Sequence, residues 1–425
     1  MNISTSSGLI LIISLYVNHL LLVTAQTFAD FARDLETNLL NTRIPDTIEY
    51  RSGYDFIIIG AGSGGCVLAN RLSELKNVTV LLLEAGDQET FLSDVPLTAA
   101  LTQITRYNWG YKPDPTPNAC QGLKDGRCNW PKGRGVGGTS LINFLLYSRG
   151  HRQDYDEWSA LGNNGWSYRE VLPYFKKSEN IKIPELRKSK YHGRDGPLDV
   201  THTNYKSKVM KAFLKSGLEM GYNLTDINGE QLMGFSRTQA TIRNGRRCST
   251  SKAFIKPIIG RRNLHISMLS RVTRIIIDPL TKQANAVEFI KNRKRFRIVA
   301  KKEIILAAGA IASPQLLMLS GVGPAQNLQK FNIPVLKNLS VGYNLQDHIT
   351  LNGLLFVVNE STINDRKLMN TADILQYILQ GSGPYTIPGG AEAFAFVRTP
   401  SSGYGKFFKN DIAGKFKKVY IRVCH

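Results

Sequence analysis

The sequence predicts an α/β protein built on a dinucleotide-binding βαβ unit. Two stretches predict it. In residues 53–86 an apolar run, a glycine turn, a helix-like segment and a second apolar run follow in order, and residues 131–143 form a second glycine-dense run with a basic residue inside it. Asp55-Phe56-Ile57-Ile58-Ile59 reads as the first strand, and Gly60-Ala61-Gly62-Ser63-Gly64-Gly65 as the turn into a helix. In this G-x-G-x-x-G spacing Gly60 permits the sharp turn, Gly62 lets backbone approach a pyrophosphate, and Gly65 lets helix and strand pack closely. The helix N-terminus then offers unpaired N–H groups to the anion. Val78-Thr79-Val80-Leu81-Leu82-Leu83 reads as the second strand, and Glu84 stands where a carboxylate takes the hydroxyls of an adenosine ribose. Glycines serve turns in many proteins without ligands. Here strand, helix, second strand and terminal acid agree, and NAD, NADP and FAD all remain open.

Composition sets the bounds. A chain of 425 residues with 42% hydrophobic and 20% charged residues is globular rather than disordered, and is long enough for more than one domain. Its net charge of +21 would draw polyanions by long-range attraction. The excess lies largely in residues 291–302 (KNRKRFRIVAKK) and 406–422. The first reads as a solvated hairpin in which basic residues bracket apolar ones, so charge runs here are expected to be exposed faces and no nucleic-acid partner is expected.

At the N-terminus, Leu9–Val17 and Leu20–Val23 form an apolar core before Val23-Thr24-Ala25-Gln26, a small-residue cleavage site. Residues 1–25 are therefore expected to be a signal peptide, and the mature chain to be secreted without an integral membrane span. The pattern has no early Lys or Arg and is interrupted by Asn18-His19, so an uncleaved anchor and a buried helix stay as alternatives. Of the cysteines at 66, 120, 128, 248 and 424, Cys120 and Cys128 flank a short polar loop and are expected to pair; Cys66 reads as a small buried hydrophobe. The sequons at Asn223, Asn338 and Asn359 are compatible with glycosylation, and Asn77, opening a core strand, is a poorer acceptor.

Residues 26–52 read as a helical lead-in with Phe28, Phe31, Leu35 and Leu39 on one face, stopping at Ile44-Pro45. From Phe91 to Arg127 the chain is Pro-rich and aromatic, too long for an idle connector, and is expected to wrap over the ligand site. The run from Pro131 to Asn143 is a second phosphate-competent loop leading into an apolar helix, in which Arg134 could face a phosphate. Asn143, at the start of that helix, could cap it or meet a ligand.

Beyond these features, GRGVGGTSLINFLLYSRG at residues 133–150 and the run Gly309–Gly323 resemble the two signatures of the glucose-methanol-choline (GMC) oxidoreductase family, most closely its insect glucose-dehydrogenase-like members. Asn108-Trp109-Gly110-Tyr111, the block Ser251–Pro257, the strands expected as a pair over 264–277, and Gly342-Tyr343-Asn344-Leu345-Gln346-Asp347-His348 extend the resemblance over about residues 53–350.

The resemblance implies a doubly wound, Rossmann-like α/β FAD-binding domain over 53–350, with substrate-domain insertions at about 155–260 and the start of an incomplete α+β substrate domain over 351–425. It implies that Gly60, Gly62, Ser63, Gly65 and Glu84 hold the ADP half of FAD. It places Trp109, Arg134, Gly138, Thr139 and Asn143 along the pyrophosphate and flavin ring, and Val272 against adenine. The implied chemistry is hydride transfer from the CH–OH group of an alcohol or sugar to flavin N5, with oxygen or a quinone-like carrier as acceptor. The base in the family is a histidine of the C-terminal part. None of His19, His151, His192, His202, His265, His348 and His425 matches it, so no catalytic residue is assigned. The chain is thus expected to be an incomplete version of such an enzyme. A truncated, inactive secreted flavin-binding or interaction protein, and an enzyme with a different base, are the alternatives. No spacing suggests a metal site.

Overall fold

Ile57, Ile58 and Ile59 are almost wholly buried because their strand lies inside a sheet covered on both faces, as an unbroken apolar run requires. A computed structural model describes residues 43–348, 356–360, 362–363, 369–398 and 418–422. The expected signal segment and most of the lead-in lie outside the described residues. The part that is described, 43–52, is not helical. It is held to the sheet by buried Ile44 and by Asp46, which accepts two hydrogen bonds from the Lys291 ammonium at 2.7 and 2.8 Å.

The main sheet contains β1 (Gly53–Ile59), β2 (Val80–Leu83), β3 (Leu264–Ser267), β4 (Arg271–Ile277), β5 (Ala284–Lys291) and β6 (Lys294–Leu306) in the spatial order β3-β2-β1-β6-β5-β4. β3, β2, β1 and β6 pair in parallel, whereas β6, β5 and β4 pair antiparallel. Strand β6 serves both halves: its start pairs with β5 up to Val299, and its end, Val299–Leu306, pairs with β1. Asn292 and Arg293, both with positive φ, make the tight β5–β6 turn, so the basic segment is the hairpin the sequence predicts.

Helix α1 (Ser63–Leu72) covers one face, where Ile58, Leu82 and Ala69 meet Ile255. Helix α2 (Gly309–Leu319) reaches the other through Leu316, among Ile57, Leu81 and Phe289. Each such buried Ile, Leu or Phe contributes roughly 1.5–3 kcal/mol.

The strands at 264–277 do not pair with each other. They occupy opposite edges of the sheet. Only three residues join them, and that connection spans at most about 14 Å. The antiparallel arm β4–β5 must therefore fold back over the carboxyl ends of the parallel strands. Leu269 N–H donates to Gly86 O and Ser270 N–H to Glu84 O, which fixes the crossing at the end of β2.

A separate three-stranded antiparallel sheet joins residues 234–237, 393–398 and 418–422. Between the two sheets in sequence, a buried charge network ties distant segments. Arg149 Nη2 donates to Glu179 at 2.9 Å, and His192 bridges Glu179 and Asp226. Cys120 and Cys128 form a disulfide with Cα atoms 5.3 Å apart, and Cys66 and Cys248 are buried thiols.

Candidate functional site

The folded-back arm closes a cavity of about 740 Å³ at the carboxyl ends of β1, β2 and β6. Ligands in open α/β sheets bind at such strand ends. Four walls enclose it.

The first wall is the turn after β1. Gly60 has φ +100°, and a Cβ there would lie 2.5 Å from Ala307 O at the end of the neighbouring β6. Gly65 lies beneath, where a Cβ would strike the Gly60 carbonyl, so helix α1 can approach its own turn only as glycine. Nothing lies within 4 Å of where a Cβ of Gly62 or Gly64 would stand. No side chain caps α1, and its first turn holds no acid. Its N–H groups and positive dipole end thus remain available to an anion.

The second wall is the glycine-dense loop, with Lys132, Gly133, Gly138 and Thr139 on the cavity. Gly137 N–H donates to Ala61 O at 2.7 Å, locking this loop onto the first. Gly138 has φ +53°, and a Cβ on it would come 2.6 Å from Gly62 Cα. The apolar helix expected after this loop is instead a single 3₁₀ turn, Gly138–Leu141. Arg247 explains the departure: its buried guanidinium donates to the carbonyls of Ser140 and Asn143, which a continuing helix would use itself.

The third wall, Ala307–Ala312, is the end of β6 and the N-terminus of α2, again without an acid in the first turn. The sequence names this run as a motif without assigning it contacts. Its form, an apolar strand ending in glycine at a helix start, repeats the first wall and was the available signal.

The fourth wall is the arm, with Ser270, Arg271, Val272, Thr273 and Ile290, and beside it the aromatic stretch. Trp109 and Tyr111 stack at 5.8 Å and both line the cavity, as expected of the segment 91–127. The Arg134 guanidinium lies 5.2 Å from the Trp109 ring centroid and that of Arg271 lies 6.0 Å away.

Glu84 closes the far end of β2. Its Oε2 accepts from Ala61 N–H and its Oε1 from Gly86 N–H, both at 2.8 Å. Burial pushes this carboxyl above the ordinary value, against the pull of those N–H groups and Arg134.

Of the predicted residues, Gly60, Gly62, Ser63, Glu84, Trp109, Gly138, Thr139 and Val272 line the cavity. Gly65 supports it from below, and Arg134 stands behind Trp109. Asn143 is held elsewhere: its Oδ1 accepts from Leu145 N–H at 3.1 Å and from Arg247 Nη1 at 2.8 Å. Among the described residues no histidine lines the cavity. Arg134 Nε is buried and has no hydrogen-bond partner among the described residues. An uncapped pair of helix ends, a buried guanidinium N–H of Arg134 without a hydrogen-bond partner and a distal carboxylate together fit an elongated, anionic ligand.

A family model described as GMC oxidoreductase matches residues 54–350. The chain belongs to the GMC oxidoreductase family. It is 41% identical over 352 residues to glucose dehydrogenase [FAD, quinone] of Drosophila melanogaster, covering 81% of this chain and 55% of that one. It is 42% identical over 315 residues to mitochondrial choline dehydrogenase of Homo sapiens, covering 71% and 51%. Among solved structures, an FAD-dependent oxidoreductase from Chaetomium thermophilum matches with a TM-score of 0.70 and 31% identity, over 81% of this chain and 62% of that one. The chain spans about half the length of the curated relatives it matches. GMC oxidoreductases are FAD-dependent.

Proposed function

We propose that this chain holds FAD in the cavity and serves an oxidoreductase acting on the CH–OH group of an alcohol or sugar. The observation that carries the reading is the convergence of two uncapped helix N-termini and two interlocked glycine loops on one cavity that ends at Glu84. Glu84 would take the ribose hydroxyls, and the backbone of Val272 would lie against adenine. The N–H groups around Gly62, Ser63 and Gly64 would bind the pyrophosphate, with Arg134 supplying charge. Thr139 and Gly138 would border the flavin ring, and Trp109 with Tyr111 would exclude water from it. Asn143 would act through the Arg247-anchored turn rather than by contact. When bound, FAD would supply the hydride acceptor; no histidine among the described cavity-lining residues is assigned as the base for the substrate hydroxyl.

Residues 53–350 with their insertion at about 155–260 would form the FAD-binding region, and 351–425 the start of the substrate domain, a division supported by the separate three-stranded sheet. Secretion, and oxygen or a quinone-like carrier as electron acceptor, complete the proposal.

Among the described residues no histidine lines the cavity, and flavin binding without turnover stands as the second reading. Incubating the FAD-loaded chain with glucose, choline and aryl alcohols and an artificial electron acceptor separates them. Substrate-dependent reduction supports the enzyme, and a flavin-loaded chain that reduces nothing supports the second reading.

A further inference from the structure

Strands β4, β5 and β6 turn one face to the core and one to solvent. Phe289, with Phe296 and Val272 opposite it, belongs to the core face. The solvent face is set by its neighbours in register. Arg297 and Arg274 flank Glu288 from the two adjoining strands, and Arg295 and Arg271 flank Ile290. A register shift between Glu288 and Phe289 brings Arg271 and Arg274, three residues apart, to the same side. All four arginines are exposed. With strands about 4.8 Å apart and alternate residues about 7 Å apart, their side chains rise from an area of about 10 by 7 Å. Glu288 is the one carboxylate within it. Among the described residues none of the four forms an ion pair, and Arg271 instead faces the Trp109 ring.

No two of these arginines stand directly opposite each other, but the single charge of Glu288 balances at most one of the four, and the remaining positive charge is open to an external counter-charge. Its chemistry narrows the partner. Four arginines offer planar forks that match tetrahedral oxyanions bidentately, as lysines do not. The three paired strands hold these side chains at fixed spacing, which suits a linear polymer with repeating anionic groups. Its apolar residues, Ile276, Ile290 and Val299, lie within the sheet rather than on a protruding loop, which does not suit entry into a bilayer. The net charge of +21 adds long-range attraction.

We propose that the solvent face of β4–β5–β6 binds a sulfated polysaccharide. Arg271 and Ile290, at one end of this face, border the cavity, but Arg274, Arg295 and Arg297 lie off its wall, so their loss tests polysaccharide binding apart from the flavin reading. The test is salt elution of the 425-residue chain from immobilised heparin, with heparin titrations in solution. The variant R274Q/R295Q/R297Q is expected to elute at clearly lower salt and to bind heparin at least about tenfold more weakly. The control K177Q/K188Q/K211Q loses the same charge at exposed positions elsewhere and is expected to elute with the parent. Fully desulfated heparin should not compete. Matching thermal melts of all three proteins exclude misfolding as the cause. Equal shifts in both triple variants, or no shift in the arginine variant, would overturn the proposal. Stronger competition by duplex DNA or by phosphatidylserine vesicles than by heparin would overturn it in favour of those partners.

Discussion

Gly138 shows what single residues decide here. It meets two demands at once, a left-handed φ and contact with Gly62 Cα, and alanine fails both. Gly138→Ala is expected to cost about 2 kcal/mol or more in a denaturant titration and to abolish flavin binding; unchanged stability and affinity would show that the loops do not interlock. His192 makes the second residue-scale case. Burial alone would push its pKa down, but hydrogen bonds to Asp226 and Glu179 lift it to about 9. The folded state therefore holds its proton more tightly than the unfolded chain. The stability this contributes is complete below pH 6.5 and is lost as pH rises through about 9. Melting temperature followed from pH 6 to 10 should fall across that window, and the fall should be much smaller in His192→Gln. The glycine spacing was legible because its geometry is local. His192 read only as a histidine that does not match the family base, because its partners at 179 and 226 are brought to it by tertiary structure.

At the scale of elements, β1, α1 and β2 could be read in order because each is a short periodic pattern with a recognisable boundary. The basic hairpin could be read for the same reason. The opposite placement of β3 and β4 could not, since three intervening residues look like a tight turn and nothing local says which way the arm folds. The 3₁₀ turn after Gly138 was hidden too: it depends on Arg247, more than a hundred residues away. The aromatic stretch lies between these cases. Its length marked it as a cover, and the disulfide that closes its far end followed from cysteine spacing. Cys120→Ser is expected to lower stability by about 2.5 kcal/mol, the loop-closure value for so short a ring. An unchanged denaturation midpoint under oxidising conditions would show that the disulfide does not constrain this segment.

For the whole molecule, the fold class followed from the βαβ pattern at residues 53–86 and the second glycine-dense run, and the cavity from the way one long strand, β6, joins the parallel and antiparallel halves. Chemistry was less legible than binding. The glycine loops and Glu84 announce a cofactor through backbone geometry, whereas a base is one side chain placed by tertiary contacts. Helix α2 is apolar along its length, yet Leu316 is its one buried residue, and nearby Phe331 and Tyr343 are exposed. The core is therefore carried by the two faces of the main sheet, to which that helix adds Leu316. The most direct test of the central claim is a flavin titration of the refolded chain, followed by quenching of flavin fluorescence, with FAD, riboflavin and NAD compared. The account predicts saturable binding of FAD, little of riboflavin, and no displacement of FAD by NAD. A cooperatively melting chain that leaves FAD fluorescence unchanged would contradict it.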